Sequence, residues 1–135
     1  MLYGAEHIKR YEETDGAEGY EWGDHGAHIL ILTTIGRKSG EERKNALIYR
    51  EVEGGYAIVS SYGGAPKNPD WHFNLEANPK VQVQIKGDKF DAVARVASDQ
   101  ERAEIWPKMA EVWPDYNEYT KKTDRVIPIV ILERA

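Results

Sequence analysis

Cysteine is absent from this 135-residue chain, which excludes disulfide frameworks, thiolate zinc sites and cysteine nucleophiles. Long apolar runs are missing too. The longest aliphatic stretches, Ile29-Leu30-Ile31-Leu32 and Ile129-Val130-Ile131-Leu132, are far short of the roughly 20 residues that cross a bilayer. The first residues, MLYGAEHIKRYEE, carry charges where a signal peptide needs an apolar stretch, so the cytoplasm is the expected compartment. Positive charge is also in short supply. Eighteen Lys+Arg against 23 Asp+Glu leave a net −5, a poor balance for a nucleic-acid binder that must neutralise phosphates. Neither GxGxxG nor GxxxxGK[ST] occurs, and neither does GxSxG. The four histidines, His7, His25, His28 and His72, show no HxxxH or HExxH spacing and give no metal signature. Paired carboxylates such as Glu12-Glu13 and Glu41-Glu42 read as solvated surface.

What is present reads as one globular domain over 1–135, opening with a helix-and-loop segment over 1–26. Hydrophobic residues make up 41% of the chain, too many for disorder, and no repeat or linker interrupts it. Residues 3–14 suit a short amphipathic helix with Ile8 and Tyr11 on one face, stopped by Asp15-Gly16. The glycine-rich stretch 15–26 reads as loop. Strands are expected at His28–Thr34, Ala46–Glu51, Tyr56–Ser61, Val81–Ile85, Phe90–Val96 and Val126–Leu132. Glu53-Gly54-Gly55 and Lys86-Gly87-Asp88-Lys89 supply hairpin turns, and Pro128 assigns the last strand to an edge or a bulge. A helix is expected over Pro69–Ala77 with Asn68 as cap. A capping box at Ser98–Glu101 opens another helix running to about Trp113, kinked or split at Pro107, and a short piece follows over Pro114–Lys121. Six strands joined largely by hairpins, with helices between them, predict an α+β protein: a closed or split antiparallel β-barrel flanked by short helices.

Three stretches have the composition of a binding site. In residues 37–44 a strand runs into a turn with Arg37, Lys38, Arg43 and Lys44 against two glutamates, a local +2 that leaves −7 for the remainder. With Gly36, Ser39 and Gly40 it makes an anion cradle; a plain solvated hairpin is the competing reading. In Ser60-Ser61-Tyr62-Gly63-Gly64-Ala65-Pro66-Lys67-Asn68-Pro69-Asp70-Trp71, hydroxyls and paired glycines lead into a helix N-terminus with Trp71 beside it; an ordinary connection with Trp71 in the core competes. Trp113, Tyr116 and Tyr119 recur at a spacing of three, which suits either a flat ligand or a core stripe.

Together these stretches resemble the deazaflavin (F420)-dependent nitroreductase and quinone reductase family. The resemblance runs through 10–16, Leu32–Gly40, Gly63–Trp71, Asn74–Pro79 and Thr123–Val130, nearly the whole chain. It implies a split β-barrel related to FMN-binding proteins, and an oxidoreductase that moves a hydride from reduced coenzyme F420 to a quinone, a nitroaromatic or a similar flat acceptor. The cofactor's phosphate tail would lie on Arg37, Lys38, Ser39 and Arg43. The ring would lie between Lys44-Asn45-Ala46-Leu47-Ile48 and Val59-Ser60-Ser61-Tyr62, with Asp70, Trp71, His72, Phe73 and Asn74 completing the groove. Trp71, Trp113, Tyr116, Tyr119 and Ile48 would wall the acceptor, and Tyr116, then Ser61, would be the proton donor. Tyr62 stands where relatives often carry Lys, which removes one tail-binding cation, and Ala46 and Ile48 stand where some carry Pro and Tyr. An FMN enzyme on the same barrel, or a carrier of F420 or a lipid-like ligand without turnover, are the alternative readings. Peripheral membrane contact through residues 3–14 would be weak, because Glu6, Glu12 and Glu13 offset Lys9 and Arg10.

Overall fold

A computed structural model describes residues 3–135; of the N-terminal segment, Met1 and Leu2 lie outside the described residues. The elements follow in the order α1 (Gly4–Thr14), β1 (Glu21–Trp22), β2 (Ala27–Ile35), β3 (Glu42–Val52), β4 (Gly55–Val59), α2 (Asp70–Ala77), β5 (Lys80–Ile85), β6 (Asp88–Val96), α3 (Asp99–Val112), α4 (Asp115–Tyr119) and β7 (Ile129–Arg134). All strand pairings are antiparallel. The order β2-β3-β4-β7-β6-β5 closes when β5 pairs back onto β2 at Ile31–Thr33, and β1 extends the same edge of β2. The result is the expected antiparallel barrel with one extra strand.

Side-chain alternation divides the core. Leu30 and Leu32 of β2, Ile58 of β4, Val83 of β5 and Val130 and Leu132 of β7 fill the barrel with Leu75 and Trp71 of α2. The opposite faces are covered as well. Ile29 and Ile31 lie beneath Tyr11 and Ile8 of α1, while Ala57, Val59, Ile129 and Ile131 lie beneath Ile105 and Met109 of α3. Strands buried on both faces read as continuous apolar runs, which is why β2 and β7 lack a visible period.

Several local expectations change. Pro128 is at neither an edge nor a bulge: β7 begins at Ile129 and pairs with both β4 and β6. Just before the strand its missing N–H costs nothing, and its carbonyl accepts from Ser60 N–H at 3.0 Å. Pro107 does not split α3, whose Ile105, Met109 and Val112 are buried on both sides of it. Their burial, roughly 2 kcal/mol per side chain, offsets one missing helical bond. Asn68 does not cap α2; its Oδ1 accepts from Arg125 Nη1 at 2.7 Å, and Pro69 holds the cap position. The loop over 15–26 contains β1, and β3 starts at Glu42, inside the basic stretch. The Ser98–Glu101 capping box is present as expected.

Candidate functional site

The basic turn is built by short-range bonds. Gly36 N–H donates to Glu41 O at 2.7 Å and Gly40 N–H to Gly36 O at 2.8 Å. A Cβ on Gly36 would stand 2.6 Å from Ser39 Oγ, so only glycine lets the hydroxyl fold back over the turn. Arg37 is pre-positioned by α2. Its Nη1 donates to Asn74 Oδ1 at 2.9 Å, its Nη2 meets Asp70 Oδ1 at 3.3 Å, and its guanidinium lies 5.3 Å from the Phe73 ring centre. Asn74, itself buried, donates from Nδ2 to Thr34 Oγ1 at 3.3 Å. One amide thus ties α2, the end of β2 and the arginine together. Arg43 Nη2 donates to Ser39 Oγ at 3.4 Å, and Lys38 is exposed.

These residues form one end of a cleft of about 710 Å³, bordered by Arg37, Lys38, Ser39, Arg43, Lys44, Asn45, Leu47, Val59, Ser61, Tyr62, Asp70, Trp71 and Asn74. A second cleft of about 470 Å³ adjoins it. Ala46, Ile48, Trp113, Tyr116 and Tyr119 border it, together with Tyr3, His7, Ile8 and Trp22 from the N-terminal segment. Lys44, Asn45, Leu47, Val59, Ser61 and Gly63 border both, so the two are halves of one groove, cationic at one end and aromatic at the other.

The groove sorts the residues singled out in the sequence. Trp71 is buried in the barrel core and borders the cationic half, apart from Trp113, Tyr116 and Tyr119. Ser60 and His72 are buried behind the wall, sharing a 2.6 Å hydrogen bond between Oγ and Nδ1. Burial lowers the His72 pKa, and Glu76, 3.6 Å from Nε2, opposes that shift. Phe73 reaches the site only through Arg37. Burial pushes the Tyr116 phenol well above its ordinary range, so it stays protonated. Tyr62 is 55% exposed, with a left-handed φ of 47°.

Two contributors were not singled out as site residues from the sequence. Arg125 staples the loop between β4 and α2: its guanidinium donates to Ala65 O at 2.8 Å, Ser61 O at 2.9 Å, Ser60 O at 3.2 Å and Asn68 Oδ1 at 2.7 Å. The second is the N-terminal segment, which roofs the aromatic half. Its amphipathic face, Ile8 with Tyr11, was the legible sign that α1 covers something. Its histidine had no motif to mark it.

Comparison with known proteins bears on the family and the fold. A model of the F420H(2)-dependent quinone reductase family matches residues 4–134. An F420H(2)-dependent quinone reductase of Mycobacterium tuberculosis is 35% identical over 108 residues, 78% of this chain and 72% of that protein. A solved F420-H2 dependent reductase is 45% identical with a TM-score of 0.71, covering 78% of this chain and 93% of that one. A chain described as a domain-swapped dimer is 41% identical with a TM-score of 0.75 over 93% of both. The heme storage protein HutZ from Vibrio cholerae, 17% identical with a TM-score of 0.63 over 94% of this chain and 89% of its own, shares the fold alone. The chain belongs to the F420H(2)-dependent quinone reductase family.

Proposed function

We propose that the cationic half of the groove holds the anionic tail of coenzyme F420, that the six shared residues flank its ring, and that the aromatic half receives the quinone. Family membership makes the chain an F420-dependent oxidoreductase with a quinone as acceptor. The observation that carries the residue assignment is the continuity of the groove, because a single ligand with a charged end and a flat end would span the shared border. The donor set fits the group: Arg37, Lys38, Ser39, Arg43 and Lys44 all border the cationic half.

Reduced F420 supplies a hydride from C5 of its ring and handles single electrons poorly. The protein's own share is positioning. Arg37 stands already oriented by Asn74 and Asp70, so little side-chain entropy remains to be lost when an anion binds. Leu47 and Val59 offer apolar surface to a flat ring, and the loop stapled by Arg125 sets the place of the Ser61 hydroxyl. Trp113 and Tyr119 brace one another through a 3.3 Å Nε1–H to hydroxyl bond, and Tyr116 lies edge-on to Tyr119 at 6.1 Å. These rings exclude water from the acceptor and hold it flat. Tyr116, protonated at all ordinary pH, donates a hydrogen bond to an acceptor oxygen, and Ser61 is the second donor.

The test is a fluorescence titration with F420 followed by oxidation of the reduced cofactor with menadione. Saturable micromolar binding and menadione-dependent oxidation are expected. Binding without oxidation across a panel of acceptors favours the carrier reading. A bound yellow chromophore with no F420 affinity favours FMN.

A further inference from the structure

On the buried face of α1, His7 stands out from the other histidines. It is 3% exposed, yet borders the aromatic half of the groove. Its ring stacks on Trp22, with centres 4.9 Å apart and planes 11° from parallel. Nε2 lies 2.7 Å from Gly19 O. A carbonyl only accepts, so Nε2 is the nitrogen that carries the N–H to Gly19 O, and Nδ1 is left to exchange a proton with a ligand. Nδ1 has no protein partner among the described residues and is not a sealed, unsatisfied atom. The backbone makes room for this arrangement. Gly19 has a φ of +92°, and a Cβ there would stand 2.8 Å from the imidazole Cδ2.

We propose that His7 is a catalytic residue of quinone reduction, its Nδ1 delivering the proton that accompanies the hydride. The inference rests on the reading of the aromatic half as the acceptor site. A quinone that takes a hydride holds two more electrons and one proton, and bears a negative charge on one oxygen. The imidazolium Nδ1–H bond breaks, an O–H bond forms on that oxygen, and neutral hydroquinone leaves. His7 is left neutral, still bonded through Nε2–H to Gly19 O, and solvent returns the proton to Nδ1. Tyr116 is a poorer acid for this step, since burial drives its pKa up. The titratable and charged groups bordering the same cleft or packed at Gly19 are Tyr3, just before the helix, Tyr11 on it, Lys44 of β3, and Tyr116 and Tyr119 of α4. Glu18, next to Gly19, is engaged by Arg10 at 3.4 Å.

Two measurements test the step. The first needs no cofactor: 15N NMR of the histidine-labelled protein, titrated with menadione. The expected result is an Nε2–H tautomer at high pH and a menadione-dependent shift at His7 Nδ1, with His25 and His28 unmoved. The second is turnover of His7→Asn, whose amide keeps a donor near Nδ1 but cannot titrate. The expected result is a KM for menadione within about twofold of the parent, kcat reduced about tenfold or more, and a pH profile of kcat flatter than the parent's. A parent-like kcat and pH profile in His7→Asn, or no Nδ1 response to menadione, overturns the proposal while leaving the acceptor site standing. Failure of the unmodified protein to oxidise reduced F420 with menadione overturns the acceptor site itself, and the proposal with it.

Discussion

Lys44 borders both halves of the groove, and its ammonium is paired with Glu12 of α1 at 2.5 Å. In the proposed site, an anionic tail would therefore compete with a carboxylate for this cation. Exposed pairs of this kind contribute at most about 1 kcal/mol, so Glu12→Gln should tighten F420 binding by no more than about fivefold, read by fluorescence titration. A larger gain would mean that α1 actively opposes the cofactor. Arg125 acts in the opposite sense. Arg125→Lys keeps the charge but cannot span four acceptors, and the loosened loop should raise the Kd for F420 about tenfold with little change in the melting temperature. The residue pattern announced the cations of the turn, because arginines and lysines cluster visibly. It did not announce Arg125, which acts on a loop about sixty positions away, a distance that closes only once the barrel forms.

At the scale of elements, α1 is docked by one buried hydroxyl. Tyr11 OH donates to Ile29 O at 2.9 Å and accepts from Lys86 N–H at 2.7 Å, and burial lifts its pKa to about 12. Tyr11→Phe keeps the ring but leaves both backbone groups short of a partner. It should cost about 1–2 kcal/mol in denaturant titrations, and hydrogen exchange should quicken in α1 before the barrel. Helix α3 is fixed at its start by Glu101, which closes the capping box and takes Arg95 in two 2.7 Å bonds. The arginine first, then the Ser98 backbone, holds this carboxyl at about 2. Because the folded state resists protonation there, the contribution is complete above the ordinary carboxylate range and is lost as pH falls toward about 2. Thermal melts should therefore show a smaller drop between pH 5 and pH 3 in Glu101→Gln than in the parent. The capping box was legible because both partners lie within four residues. Pro128 and Pro107 were misread because the local penalty of proline depends on tertiary surroundings: a strand that begins one residue later, and a helix held on both sides of the break.

At the scale of the whole molecule, the barrel was legible from its hairpins, and closure of β5 onto β2 supplied the part no local pattern encodes. Charge is distributed as unevenly as the sequence implied. A chain of net −5 gathers four cations at one end of a groove, and its aromatic end is completed by the N-terminal segment. The roof was missed because a helix with one buried face looks the same whether it covers core or ligand. The absence of cysteine fits an enzyme whose redox chemistry is carried by a bound deazaflavin. The most direct test of the central claim is the F420 titration repeated across ionic strength, with Arg43→Ala alongside. Saturable micromolar binding that weakens with salt, and weakens less steeply in Arg43→Ala, is the predicted result. Absence of saturable binding at micromolar F420, or binding indifferent to both salt and Arg43, would contradict it.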